Sequence, residues 1–215
     1  MKKIFKVTNS KLKDFAFPLN YIKKEIYSNV QYKKKKIIGN FGRLDIFHKG
    51  LDILVKAFDS SKYADQYKLH IFLTKSKNEL DKLQNIISKL KNKKNIFIKD
   101  PIYGKKKIKI LKSYKLFIYP SRYESYGIAQ VESVLSASCI ISENHNISDS
   151  LKKFNVAYIV KNNIKSISKK IDLFLENKLP PLDKRDKFIK FFSNNARQLH
   201  KLHNQLVKKR NFKKI

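Results

Sequence analysis

Four side chains in this sequence have the types and spacing to act on a ligand that carries both phosphates and hydroxyls. Glu124 and Glu132 fall within Pro120-Ser121-Arg122-Tyr123-Glu124-Ser125-Tyr126-Gly127-Ile128-Ala129-Gln130-Val131-Glu132, with Gly127 between them. A carboxylate accepts paired hydrogen bonds from vicinal hydroxyls, so one glutamate can hold a sugar while the other, on the helix that Gly127 opens, holds a ribose. Arg43 and Lys49 lie just beyond the first apolar run, on a segment ending at Gly50 where a helix begins. Two cations beside a helix start suit a diphosphate. Each feature also has a plainer explanation. Glu132 can pair with a neighbouring lysine on the surface, and a lysine such as Lys49 falls near a helix start by chance in so basic a chain. Arg43 is harder to dismiss, because the chain has only five arginines, at 43, 122, 185, 197 and 210.

These groups need a scaffold that brings separate loops to one rim. The apolar runs at 35–41, 69–73, 95–98, 116–119 and 139–141 read as buried strands. Between them, 50–58, 79–90, 105–113 and the segment from Gly127 carry helical spacing, with Leu51, Leu54, Val55 and Phe58 on one face of the first. Alternation of this kind predicts an α/β fold, a single Rossmann-like domain with a parallel sheet and helices on both faces. Such sheets bind ligands outside the carboxyl ends of their strands, where both chemistry-bearing segments fall. Residues 1–34 read as an extended lead-in, 35–180 as the ligand-binding domain, and 181–215 as a helical segment ending in the basic tail Lys-Lys-Arg-Asn-Phe-Lys-Lys-Ile.

Composition narrows the partners. The formal charge is +32 and nearly all of the excess is lysine, whereas bidentate readout of phosphates and guanines favours arginine. No specific nucleic-acid contact is therefore expected, and a basic nucleic-acid-binding module ranks as a second alternative. Lysine, isoleucine and asparagine are abundant together, as AT-rich codons would supply, and that bias accounts for much of the charge. Contact with an anionic membrane surface is the best functional use of the remainder. No apolar run approaches the ~18–20 residues that span a bilayer, and the N-terminus lacks the apolar core of a secretory signal, so a cytoplasmic protein, peripheral on the inner face of the membrane, is expected. Cys139 is the only cysteine, and His200 and His203, one helical turn apart, have no carboxylate or third histidine at ligand spacing, so no metal site is expected. The serines lack the glycine-flanked setting of a nucleophile elbow, and no P-loop occurs.

Two of these segments, Gly42-Arg43-Leu44-Asp45-Ile46-Phe47-His48-Lys49-Gly50 and Pro120 to Glu132, resemble the donor-binding half of retaining family 4 glycosyltransferases of the GT-B fold. The paired glutamates of PSxxExxG(I/L)xxxE are the specific part, and GRxxxxxKG supports them in order and spacing. The resemblance implies that Arg43 and Lys49 bind the diphosphate of a UDP- or GDP-linked sugar and that Glu124 acts at the donor sugar. It further implies that Glu132 holds the ribose and that the backbone at Ser125, Tyr126, Gly127 and Ile128 approaches sugar and phosphates, with no cofactor beyond the nucleotide sugar itself. A polysaccharide or glycolipid acceptor follows, with a separate N-terminal acceptor-domain subunit completing the cleft. A non-catalytic or regulatory nucleotide-sugar-binding subunit is the first alternative. The chain departs from the family pattern after Glu132 and around Asn144-His145-Asn146-Ile147, where a glycine pair is expected.

Overall fold

The structure is a computed structural model that describes residues 26, 32–74, 77–124, 127–145, 147–182 and 185–190. The chain divides into two compact units, Lys24–Arg185 and a second made of Met1–Lys23 with Asp186–Ile215. Of the second unit only the helical residues 186–190 are described. Most of the expected lead-in, and the C-terminal helical segment beyond 190, lie outside the described residues.

The first unit is an α/β domain. Its strands are β1 (Lys35–Arg43), β2 (Lys68–Thr74), β3 (Ile96–Lys99), β4 (Tyr114–Tyr119), β5 (Ser138–Ser142) and β6 (Tyr158–Val160). Its helices are α1 (Ile46–Lys49), α2 (Leu51–Asp59), α3 (Lys77–Ser88), α4 (Gly104–Ser113), α5 (Ile128–Val134), α6 (Ser148–Lys153) and α7 (Ile164–Leu175). All strand pairs are parallel, in the order β3-β2-β1-β4-β5-β6. The sequence reading stops at five strands; β6, α6 and α7 complete the doubly wound pattern.

Period-two alternation in the central strands sorts side chains onto two different faces. Ile38, Leu69, Ile71, Leu73, Leu116 and Ile118 form an aliphatic face packed with Leu51, Leu54, Val55 and Phe58 of α2, Leu83 of α3, and Ile167 and Ile171 of α7. Each fully buried side chain of this size contributes roughly 1.5–3 kcal/mol. The opposite face is aromatic. Phe41 stacks on Phe72 at 4.7 Å and on Phe117 at 5.6 Å, and Tyr114 stacks on Phe117 at 5.8 Å.

The order places β1 beside β4, so the connections leave this pair in opposite directions and open a crevice above it. Backbone pairing between the two strands runs through Gly39–Phe117. One residue on, the Asn40 side chain takes over, its amide donating to the Ile118 carbonyl at 2.7 Å. The loops that follow these two strands carry both segments singled out in the sequence.

Candidate functional site

The two loops are fastened to each other. Gly50 ends α1 and begins α2 at φ 62° and ψ 35°, and a Cβ there would fall 2.0 Å from the Pro120 carbonyl oxygen. Only glycine combines that backbone angle with so close an approach. Across the same junction the Arg122 N–H donates to the His48 carbonyl at 2.9 Å. The Arg122 guanidinium adds a fork to both Asp52 oxygens at 2.8 and 2.7 Å, a bond to the Phe47 carbonyl at 2.9 Å, and a stack over the Phe47 ring at 4.6 Å. The Asp52 hydrogen bonds raise the pKa of Arg122 further. Partial burial would raise that of Asp52, but the guanidinium outweighs it and holds the carboxyl below its usual value. The far side of the loop is tied down as well: the Ser121 carbonyl accepts from Ser142 Oγ at 2.6 Å and from Asn162 Nδ2 at 3.0 Å.

On this frame Lys49, the last residue of α1, donates to Glu124 Oε2, and Gln130 Nε2 of α5 reaches the same oxygen at 3.4 Å. Both members of the ion pair are largely buried, at 20% and 12% exposure. Two of the predicted groups, drawn from different loops, therefore meet directly. Arg43 ends β1 on the same rim but is exposed, with its guanidinium 3.5 Å from Asp45. Asp45 also caps α1, accepting from the His48 backbone N–H at 2.9 Å. Glu132 lies on α5 and is engaged by Lys107 of α4, whose Nζ donates to Oε2 at 2.5 Å while standing 5.3 Å from the centre of the Phe41 ring. The plainer reading of Glu132, that it pairs with a lysine, thus describes its state here, although the pair is part-buried rather than solvated. Gly127 caps α5 and Ile128 opens it, 48% exposed. Ser125 and Tyr126 lie outside the described residues.

α5 is held on the sheet by Tyr119, whose hydroxyl contacts Ser133 Oγ at 2.5 Å and donates to the Ala129 carbonyl at 3.2 Å. Burial pushes the Tyr119 phenol well above its ordinary pKa, so it stays a neutral strut.

Three features escaped the sequence reading. Arg122 acts as a clamp between the loops; the scarcity of arginine that singled out Arg43 applied equally to it. Lys107 belongs to the site although it lies 25 residues before its partner and within a lysine run. His145 is 4% exposed, and its backbone pairs in parallel with Glu124. Neither ring nitrogen has a hydrogen bond of normal geometry; the Ser121 backbone is a polar neighbour but already accepts from two other groups. Burial pushes the ring's pKa down to about 4, against the pull of Glu124 and with Lys49 assisting, so His145 is neutral at pH 7. Where the family pattern expects a glycine pair, neither Asn144 nor His145 takes a left-handed φ. No cluster of three or more His, Cys, Asp or Glu that could hold a metal occurs among the described residues.

A basic–acidic pair in a crevice outside the carboxyl ends of β1 and β4 can exchange its internal charge for that of a bound ligand. The chain as a whole is similar to known proteins. The poly(ribitol-phosphate) alpha-N-acetylglucosaminyltransferase of Staphylococcus aureus (strain COL) is 25% identical over 150 residues, 68% of this chain and 29% of that protein. Among solved structures, the sucrose-phosphate synthase of Thermosynechococcus elongatus superposes with a TM-score of 0.69 at 14% identity, covering 91% of this chain and 51% of that one. Anabaena HepE, in complex with UDP and glucose, gives 0.68 at 12% identity, covering 80% and 48%. The chain thus spans about half the length of these structures and less than a third of the curated relative. The model of the glycosyl transferases group 1 family matches residues 22–199, most of the sequence, and the chain belongs to that family.

Proposed function

We propose that this domain binds the nucleotide-sugar donor of a retaining family 4 glycosyltransferase, and that Lys49 and Glu124 form the centre of its site. The single observation that carries the reading is their direct ion pair at the crevice between β1 and β4, on loops locked together by Gly50 and Arg122. Before the donor arrives, each charge compensates the other in a partly desolvated place. A diphosphate brings its own negative charge, draws Lys49 away, and leaves the Glu124 carboxylate to accept hydrogen bonds from the sugar hydroxyls. Arg43 adds a second cation at the rim, and Glu132 takes the ribose diol. As the bond between sugar and phosphate breaks, these cations offset the charge that collects on the leaving diphosphate.

Transfer also needs an acceptor held within bonding distance, which in this reading comes from a partnering N-terminal domain and carries a polysaccharide or glycolipid. That the S. aureus relative and Anabaena HepE are by name a glycosyltransferase and a complex with UDP and glucose supports donor binding as the role of this domain. A non-catalytic donor-binding subunit is the second reading, favoured by the loop around Asn144-His145-Asn146-Ile147, which lacks the glycine pair of the family pattern.

Calorimetric titration with UDP- and GDP-sugars tests the reading. Wild type is expected to bind one base class, Lys49→Met to lose about 10–100-fold in affinity, and Glu132→Ala to lose its preference for ribo- over 2′-deoxyribonucleotides. Undiminished ribonucleotide binding by Glu132→Ala overturns the ribose assignment, and absence of binding by wild type overturns the whole reading. Donor hydrolysis or transfer by the bound complex separates the enzyme from the non-catalytic subunit.

A further inference from the structure

The charge of this protein is segregated. Residues 37–67 and 120–160, which hold the loops of the candidate site, carry seven lysines and arginines against eight aspartates and glutamates. Residues 89–109 carry nine lysines and a single acid, Asp100. Codon bias spreads lysine without regard to position in the fold, so it does not account for a neutral rim beside a strongly basic edge.

The basic stretch is contiguous in space. It runs through the turn before β3, along β3 at the edge of the sheet, over the loop 100–103, and onto α4. Lys89, Lys91, Lys94, Lys105, Lys106 and Lys109 are exposed and have no ion pair among the described residues. The acid beneath them is otherwise engaged: Asp59 accepts from the backbone N–H of Asn92 at 2.6 Å and of Lys91 at 3.3 Å, which fixes the turn that displays the lysines. Lys99 and Lys68 stand 5.1 and 5.7 Å from the Phe97 ring centre, on the aromatic face. Burial lowers the pKa of neighbouring His70 to about 4, with smaller contributions from Lys99 of this edge and from Lys68 and Lys35. At the middle of the edge Tyr103 is 71% exposed, between Lys99 and Lys105.

We propose that this edge, from Lys89 to Lys109, docks on an anionic lipid bilayer with Tyr103 at the headgroup level. Lysine supplies compact charges that follow a diffuse sheet of anionic headgroups, and a tyrosine among them has an apolar ring with a polar tip, the pairing that suits a membrane–water interface. None of the nine cations is arginine, the residue that reads phosphates and bases bidentately in nucleic acids. Lys99 on β3 itself also discourages edge-to-edge sheet pairing, but that role reaches neither α4 nor Tyr103. α4 links the two regions: Lys105, Lys106 and Lys109 face solvent, while Lys107 of the same helix holds Glu132. Docking would therefore set the rim beside the membrane, whether or not the donor assignment holds.

The test uses the full chain and phosphatidylcholine vesicles with or without phosphatidylglycerol. Wild type is expected to sediment only with the anionic vesicles and to be released at high salt. Lys93→Glu, Lys94→Glu, Lys105→Glu and Lys106→Glu together should weaken partitioning at least about 100-fold. A control that changes Lys152, Lys153, Lys165 and Lys169 to glutamate alters the net charge equally on other elements, and should lose less than about tenfold. The same four edge positions changed to glutamine keep the test decisive if the glutamate variant fails to fold. The sequence contains no tryptophan, so Tyr103→Trp gives a single indole reporter, expected to shift to shorter emission wavelength on anionic vesicles alone. Equal losses in edge and control variants, an unshifted indole spectrum, or binding to duplex RNA but not to vesicles would each overturn the proposal.

Discussion

The rim and the basic edge are made from the same kinds of residue and use them in opposite ways. At the rim nearly every charge has a partner: Lys49 with Glu124, Arg122 with Asp52, Arg43 with Asp45. The first two pairs are partly buried, so their geometry is fixed by packing and their energy depends on leaving neither member alone. At the edge six lysines stand exposed without ion pairs among the described residues, and what they offer is a field rather than a geometry. Arrangement matters in one place and charge total in the other, so substitutions of the same type should have very different consequences in the two.

Glycine gives the widest contrast. Gly50 at the rim and Gly104 at the edge both have positive φ, 62° and 58°. A Cβ at Gly50 would lie 2.0 Å from the Pro120 carbonyl oxygen, whereas a Cβ at Gly104 meets nothing within 4 Å. Gly104→Ala adds only the backbone strain of the left-handed region, about 1 kcal/mol. Gly50→Ala adds a steric collision that separates the two loops, and should cost about 3 kcal/mol or more. Urea denaturation of both variants measures the gap; equal costs would mean that the loops are not locked at Gly50.

Acid is next in size, and it too acts more strongly at the rim. His145 and His70 both have pKa values near 4 in the folded chain, below the ordinary 6.5. A folded state that resists protonation binds fewer protons than the unfolded state between these values, so stability falls as pH drops from about 6.5 toward 4 and is unaffected above that window. For deeply buried His145 the loss reaches up to ~3 kcal/mol, and for half-exposed His70 a fraction of that, because solvent screens it. Unfolding free energies at pH 5 and pH 7.5 should differ less in His145→Gln than in wild type, and the smaller relief expected from His70→Gln checks the ranking.

Arg122→Lys follows. Lysine keeps the charge but loses the fork to Asp52 and the stack on Phe47, for an expected destabilisation of about 1–2 kcal/mol. The clamp also shows where the sequence stops being legible. Strands β1 to β5 were readable because buried parallel strands leave short aliphatic runs, and α2 was readable because Leu51, Leu54, Val55 and Phe58 share one face. β6 has only three residues at the other sheet edge, too few for a pattern. Lys49 and Glu124 could be nominated from residue types beside a strand end, but their contact joins positions 75 residues apart, and the Arg122–Asp52 fork joins positions 70 apart. Lys107 was hidden in another way: inside a run of lysines nothing local distinguishes the one that turns toward Glu132. His145 left no trace, since burial of a single histidine is a property of the packed loop.

The smallest expected effect is the most informative about the edge. Lys94→Gln removes an exposed charge that has no ion pair among the described residues, in a chain whose formal charge is +32. With no ion pair to lose, only the relief of repulsion remains, so stability should stay within about 0.5 kcal/mol of wild type and lean toward a gain at low salt. Added salt screens the repulsion in wild type as well, and the gain should vanish as the Debye length shrinks from about 10 Å toward 3 Å. Lys49→Gln provides the opposite case, since it leaves Glu124 part-buried without its cation and should destabilise by about 1–3 kcal/mol at any salt concentration. If Lys94→Gln were as costly as Lys49→Gln, the edge lysines would be structural, and the division between a rim built on pairs and an edge built on field would fail.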